Sequence, residues 1–138
     1  MGHVYANVEL INDYDQEFAR RSIIGEEEVK RMHINVLVDS GALMLCINER
    51  IQEILQFPVD EKKTVETADG RRLVCDLVKG VELRFENRRV SCRAIVLPDD
   101  SEPLLGVIPM EEMDVLIHPQ RQELIVNPDY PFMAHAKV

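Results

Sequence analysis

The stretch Val36-Leu37-Val38-Asp39-Ser40-Gly41-Ala42 places an acidic residue directly after three aliphatic ones. Two of these three are β-branched, so the run favours a buried strand. An unpaired carboxylate is costly to bury at the end of such a strand, and its presence therefore needs a reason. Ser40 adds a hydroxyl that can hydrogen-bond across a tight turn, while Gly41 lacks a Cβ and lets another backbone approach closely. The stretch predicts a strand that ends in a tight acidic turn.

The residues on either side of this turn also have clear patterns. Apolar side chains alternate with polar ones before the turn, at Met32, Ile34, Val36 and Val38. This alternation predicts a half-buried strand that delivers Asp39. After the turn, residues 43–47 are continuously apolar and predict a second short strand. Asn48 can cap a helix, and apolar residues then recur at helical spacing until Pro58 ends it.

Two hairpins are predicted in the middle of the chain. Residues 64–67 and 71–75 are strand-like and flank Ala68-Asp69-Gly70, in which Asp-Gly is a strong hairpin signal. Residues 80–85 and 90–97 alternate in the same way around a polar turn and predict a second hairpin.

A second informative site follows a loop-like stretch at residues 98–103. Leu104-Leu105-Gly106 ends a short apolar strand, and a short helix with Pro109 in its first turn is predicted after it. A closing hairpin over residues 115–117 and 123–126 leads into the C-terminal residues.

The apolar strand followed by Asp39-Ser40-Gly41-Ala42 resembles the catalytic loop of the aspartic proteases. Because a short chain carries one such loop, it resembles the retropepsin-like branch (clan AA), in which two identical chains each supply one aspartate. The order of elements from about Tyr5 to Val126 is similar to that family as well. Leu104-Leu105-Gly106 resembles the family's strand that packs beside the catalytic turn, and Ala68-Asp69-Gly70 the tip of the flap that folds over a bound peptide.

This resemblance implies a fold, a function and a set of site residues. The implied fold is all-β: a small closed β-barrel with one or two short helices, active as a homodimer. The implied function is that of an aspartic endopeptidase, with one water activated by two symmetry-related Asp39 carboxyl groups and no metal or cofactor. Ser40, Gly41 and Ala42 would support the catalytic loop, Ser40 through a hydroxyl bond into the partner loop.

Two other interpretations stay open. The chain could be a dimeric retropepsin-like module that binds peptides or proteins without cutting them. The charged hairpin tip, with Asp69, Arg71 and Arg72, and the apolar Val107 after Gly106 depart from the family pattern and favour that alternative. In the other, Asp39-Ser40-Gly41 is an ordinary turn in an unrelated β-rich interaction domain, since these residue types are common in turns.

Length and composition narrow the class of protein. A chain of 138 residues with 46% hydrophobic and 30% charged residues suits one globular domain over residues 1–138. Within it we expect an N-terminal strand and a polar connection over residues 1–28, with a possible short strand at residues 22–24, and an extended tail over residues 127–138. The partners expected are a second copy and a peptide or protein substrate.

Charge, hydropathy and cysteine content exclude some partners. The formal net charge of -9 argues against nucleic-acid binding, which needs a basic face. No apolar run approaches the length of a membrane span, and the N-terminus lacks the features of a signal peptide, so we expect a cytoplasmic protein without membrane partners. The 3 cysteines and 4 histidines are scattered and show neither a disulfide framework nor a metal-ligand pattern.

Overall fold

The chain is mostly β-structure, as predicted, in a computed structural model that describes residues 2–136. Residue 1 of the predicted N-terminal segment and residues 137–138 of the predicted tail lie outside the described part. The strands are β1 (Tyr5–Asn12), β2 (Arg31–Val38), β3 (Leu45–Asn48), β4 (Val59–Glu66), β5 (Arg72–Phe85), β6 (Arg88–Leu97), β7 (Leu104–Leu105), β8 (Val115–His118) and β9 (Glu123–Val126). The α-helices are α1 (Asp13–Arg20), α2 (Glu49–Leu55) and α3 (Val107–Met113).

Six strands close into a ring of hydrogen-bonded neighbours. The order is β1-β2-β7-β3-β6-β5, and β5 pairs with β1 again to complete the ring. Strand β4 extends the sheet beyond β5, and β8 and β9 form a separate two-stranded sheet. The short strand β7 runs parallel to β2 and antiparallel to β3, so it joins the strands on either side of the Asp39 turn.

The alternation of side chains along β3 divides the interior between two apolar clusters. Leu45 and Ile47 face the main core, which also takes residues from β1, β2, β5, β6 and α2. Cys46 points to the opposite face and packs in a smaller cluster with Cys75, Leu77 and Ile95. Because successive residues of a strand point to opposite faces, a four-residue strand contributes to both clusters.

The predicted strand–turn–strand–helix order around Asp39 is confirmed. Asn48 caps α2 as predicted, since its side-chain oxygen accepts a hydrogen bond from the backbone N–H of Ile51 at 2.9 Å. The two central hairpins are also present, but they share one continuous strand, β5, because a bulge between Val78 and Val81 carries the chain from one pairing to the next. Gly80 lies in this bulge with a φ of 73°, a conformation that glycine adopts at low cost.

The prediction of one or two short helices was wrong, since residues 2–136 form three α-helices. The polar connection predicted after the first strand begins with α1, because the Asn12 side chain accepts a hydrogen bond from the backbone N–H of Asp15 at 3.2 Å and caps the helix. The same polar residue types favour turns and helix starts, so the sequence pattern did not separate the two. The possible strand at residues 22–24 is also absent, because Ser22 turns the chain with a φ of 59°.

Residues 127–136 turn back rather than extend. The Asn127 side chain accepts a hydrogen bond from the backbone N–H of Asp129 at 3.0 Å, and its carbonyl accepts one from Tyr130 N–H at 3.0 Å. These bonds close a turn that keeps the following residues close to the body of the protein. No helix within residues 2–136 has the length and apolar character needed to cross a membrane.

Candidate active site

The Asp39 turn begins where β2 ends. The carbonyl of Asp39 accepts a hydrogen bond from the backbone N–H of Ala42 at 3.1 Å, which closes the turn. One carboxylate oxygen of Asp39 accepts the backbone N–H of Gly41 at 2.8 Å. The carboxylate is half-buried, and its orientation is fixed by this bond to its own loop. Its other oxygen makes no hydrogen bond to another described residue.

Strand β7 supports the turn from one side. Leu37 and Val38 pair in parallel register with Leu104 and Leu105. The backbone N–H of Asp39 donates to the carbonyl of Leu105 at 3.0 Å, so the pairing extends to the acidic residue itself. The structure therefore brings together the two sites that the sequence analysis singled out, although 64 positions separate Asp39 from Pro103, where the supporting segment begins.

Gly106 allows the backbone behind the turn to pack closely. A Cβ at this position would lie 2.5 Å from the carbonyl oxygen of Met44 and 2.6 Å from its nitrogen. Both atoms are backbone atoms and cannot move away as a flexible side chain can. The glycine is required here because the chain after the turn passes directly against it.

Helix α3 supports the turn from the other side. The backbone N–H of Val107 donates to the carbonyl of Ala42 at 3.0 Å, and that of Ile108 donates to the carbonyl of Leu43 at 3.0 Å. The first N–H groups of a helix have no partner within it, and here the acidic turn satisfies two of them. The sequence analysis missed these two residues as supports, because a backbone donor leaves no signature in residue type.

The surface next to Asp39 is open and partly apolar. Ser40 and Gly41 are exposed, and the Ser40 hydroxyl has no hydrogen-bond partner within residues 2–136. Leu43 is 67% exposed and Ile108 is 46% exposed, and the hydrogen bond between their backbones keeps the two residues close together. Two exposed apolar side chains thus lie on the segments that are bonded together behind the Asp39 turn.

The predicted flap hairpin also has a defined tip. Ala68, Asp69 and Gly70 are all exposed, and the Thr67 N–H donates to the Arg71 carbonyl at 2.8 Å to close the loop. The Asp69 carboxylate accepts bonds from the Thr67 hydroxyl and from the backbone N–H of Arg71. The pKa of Asp69 is lowered, first by the Thr67 hydroxyl bond and next by the Arg71 backbone bond.

The stem of this hairpin leads back to the Asp39 turn. Val65 on β4 and Leu73 on β5 pack against the smaller apolar cluster, and so do Met44 and Leu104 beside the turn. The flap strands and the acidic turn therefore share one apolar cluster. Within that cluster the pKa of the Cys46 thiol is raised to about 11, first by burial and then by the nearby Cys75 and Asp39 charges.

The chemistry available at this site is that of a carboxylic acid. No group of three or more histidine, cysteine, aspartate or glutamate side chains is arranged to hold a metal ion in the part of the chain that the structure describes. Asp39 can accept a proton as a carboxylate or donate one as an acid. Its supporting backbone bonds hold it at the surface, where it is accessible to a water molecule or a peptide.

The sequence was also compared with models of known protein families and with curated proteins. A family model described as aspartyl protease matches residues 23–108, from the residues before β2 to the first turn of α3. The match includes the Asp39 turn, the flap hairpin and Leu104-Leu105-Gly106. A comparison with curated proteins found no match. Because the family model covers more than half of the sequence, the chain belongs to an aspartyl protease family of the pepsin and retropepsin clan.

Proposed function

We propose that the protein is an aspartic endopeptidase that works as a homodimer, with Asp39 from each subunit at one active site. The observation that carries the proposal is the construction of the Asp39 turn. Its carboxylate is oriented by Gly41 N–H, and its backbone is held by both Leu105 and the first turn of α3. An ordinary surface turn does not need support from two segments that lie more than 60 positions away in sequence.

Two carboxyl groups are needed for the reaction. One carboxylate takes a proton from a water molecule, whose oxygen then attacks the carbonyl carbon of the peptide, while the other carboxyl group donates its proton to the carbonyl oxygen. Two carboxyl groups that face one water cannot both ionise readily, so they share one proton and titrate as a pair. The sequence has no second Asp-Ser-Gly or Asp-Thr-Gly, and a second copy is the natural source of the other carboxyl group.

The surface around Asp39 suits this arrangement. Ser40 is exposed and its hydroxyl is free to bond to the loop of a partner subunit, while Gly41 is exposed and lets the two loops approach. Leu43 and Ile108 add apolar area that a partner or a substrate would cover. In this proposal Ala42 lies where the substrate backbone passes.

The flap would close the site from above. The tip residues Ala68, Asp69 and Gly70 lie at the end of two long strands whose stem packs on the cluster beside Asp39. In this proposal a peptide is held between the tip and the Asp39 turn, with the exposed Leu43 and Ile108 side chains available to contact it. The substrate class proposed is therefore a peptide or an extended protein segment.

The closed β-barrel and the cytoplasmic location remain predictions from the resemblance and the sequence.

A matched pair of variants tests the proposal. The wild type and Asp39→Asn are incubated with an unbiased peptide library across acidic and neutral pH. Sedimentation at the same protein concentration shows whether dimers are present. Asp39→Asn keeps the shape of the side chain but cannot act as an acid or a base. We expect cleavage by the wild type alone, and Asp100→Asn, at an exposed loop position, should cut like the wild type. Full activity in Asp39→Asn would refute the proposal.

A second candidate function is a dimeric module that binds peptides without cutting them. It is favoured by the charged flap tip, where the Asp69 carboxylate and the Arg71 guanidinium pair at 3.0 Å. A tip that bonds to itself has fewer groups left to grip a substrate. Dimers of the wild type that bind library peptides and leave them intact would favour this function. A strict monomer at high concentration would argue against both functions, because each of them needs a dimer.

A further inference from the structure

The C-terminal segment, residues 127–136, lies outside the part of the chain that the family model matches. It is bonded to Asp114, the residue directly after α3. The Asn127 side-chain amide donates to one carboxylate oxygen of Asp114 at 3.1 Å, and the backbone N–H of His135 donates to the other at 3.1 Å. The backbone N–H of Asn127 also donates to the Asp114 carbonyl at 3.0 Å. One residue thus receives three hydrogen bonds from the segment.

The same segment is bonded to the turn between β5 and β6. The side-chain amide of Asn87 donates to the carbonyl of Pro131 at 2.7 Å, and the Arg88 guanidinium donates to the carbonyl of Tyr130. Arg88 is only 2% exposed, and two of its nitrogens have no hydrogen-bond partner within residues 2–136. The rings of Tyr130 and His135 stack at 4.1 Å, which folds the segment onto itself.

Charge strengthens the attachment at Asp114. The pKa of its carboxyl group is lowered, first by the hydrogen bond from Asn127 and then by that from His135, and the Arg88 and His135 charges lower it further. Hydrogen bonds to an ionised acceptor are stronger than those between neutral groups. The segment is therefore held by a charged acceptor near the surface rather than by apolar burial alone.

Helix α3 connects this attachment to the Asp39 turn. The helix has 7 residues and is therefore about 10 Å long. Its last residue, Met113, is fully buried, and Asp114 follows it in the left-handed conformation with a φ of 56°. At its other end, Val107 and Ile108 donate to the carbonyls of the turn. Because the helix is short and its last residue is buried, we expect that a shift at Asp114 also shifts the first turn at Val107 and Ile108.

We infer that the C-terminal segment braces α3 and, through it, the Asp39 turn, with Asp114 as the positioning residue. The segment holds the far end of the helix, so the first-turn N–H groups of Val107 and Ile108 stay aligned with the carbonyls of Ala42 and Leu43. Only the last step, that a displaced turn cuts peptides more slowly, rests on the proposed function. The effect on the turn itself can be measured without activity.

Amide hydrogen exchange on the full chain tests the inference, with Asp114→Asn as the variant. Asparagine tolerates the left-handed conformation but presents an amide to a site that holds two N–H donors. We expect the amides of Val107, Ile108 and His135 to exchange at least about tenfold faster, while those of β1 and β2 stay unchanged. Asp99→Asn is the matched control, because Asp99 is also left-handed, with a φ of 52°, and its carboxylate has no hydrogen bond within residues 2–136.

Faster exchange at His135 with unchanged exchange at Val107 and Ile108 would overturn the inference, because the segment would then be detached without loosening the turn. Should Asp114→Asn fail to fold, Asn127→Ala removes one of the three bonds and should give a smaller change at the same amides. If the wild type cuts peptides, Asp114→Asn should lower kcat more than it changes KM. If the wild type does not cut peptides, the proposed function fails, but hydrogen exchange still tests whether the C-terminal segment braces α3.

Discussion

The Asp39 turn and the flap tip share one local hydrogen-bond pattern but differ in the segments that pack against them. In both, an aspartate accepts the backbone N–H of the residue two positions later: Gly41 for Asp39, at 2.8 Å, and Arg71 for Asp69, at 3.3 Å. The Asp39 turn is also bonded to β7 and α3, whereas the bonds of the Asp69 carboxylate come from its own hairpin loop. The two aspartates therefore share their local turn chemistry and are distinguished by the support that one of them receives from distant segments.

The largest expected difference between the two turns is in catalysis. Asp39→Asn should lower kcat/KM by at least about a thousandfold, as removal of a group that takes part in the chemistry does in hydrolases. Asp69→Asn should change kcat/KM only a few-fold, because the carboxylate at the tip bonds to its own loop. Both variants are compared in one peptide assay with the wild type. Equal losses in the two variants would mean that the tip is part of the chemistry, and the comparison would fail.

Glycine substitutions separate the two regions by stability. In Gly106→Ala the new Cβ meets backbone atoms at 2.5 Å, and we expect a loss of about 3 kcal/mol in the free energy of unfolding. Gly70→Ala meets no atom within 4 Å, and its φ of 84° costs alanine about 1 kcal/mol. Urea unfolding of both variants measures the difference. A Gly106→Ala variant as stable as Gly70→Ala would contradict the tight packing behind the Asp39 turn.

The reactivity of the two thiols in the smaller cluster measures how well the segments beside the Asp39 turn and the flap hairpin are packed. Burial raises the pKa of Cys46 on β3 to about 11, and it also raises the pKa of Cys75 on the flap strand β5. Because the thiolate is the reactive form, both should react with iodoacetamide at pH 8 at least about tenfold more slowly in the native protein than after unfolding. Mass spectrometry of the alkylated peptides gives the two rates. Native rates equal to the unfolded ones would show that the cluster is open.

The smallest expected effect is in the pH dependence of the flap tip. The pKa of Asp69 lies below its ordinary value of 3.8, so its ionised form is favoured by the folded loop. The ionised Asp69 carboxylate therefore stabilises the loop fully above pH 3.8, and this stabilisation is lost as the pH falls through the lowered pKa. The Arg71 amide signal in NMR should stay constant from about pH 7 to about pH 4 and change only below. Asp69→Asn should remove this change, and a transition near neutral pH would contradict it.

Much of the fold was predictable because it depends on short-range patterns. Alternation marked β2, Asn48 and Pro58 marked the start and end of α2, and Asp69-Gly70 marked the flap hairpin. Helix α1 was missed because most of its residues are charged or polar and only Asp15 is buried, so no buried apolar face marks it as a helix. The turn at Asn127 was missed because it depends on Asn127 bonding to Asp129 and Tyr130.

The candidate site was predictable only in part. Asp39-Ser40-Gly41 and Leu104-Leu105-Gly106 can be found in the sequence because both resemble motifs of the aspartic proteases. The N–H groups of Val107 and Ile108, which hold the turn, could not be found in this way, since every non-proline residue carries such a donor. The bonds to Asp114 were equally hidden, because they join groups up to 21 positions apart through backbone and side-chain geometry.

Local sequence patterns predicted most of the strands, the two central hairpins and the acid that follows a buried strand, because these follow from side-chain volume, polarity and backbone preference over a few residues. Which acidic turn is held by distant segments became clear only in the folded protein. Asp39 and Asp69 carry the same chemistry, and the sequence does not show that β7 and α3 lie against one and not the other. Contacts between distant segments depend on how the whole ring closes, which no local pattern records.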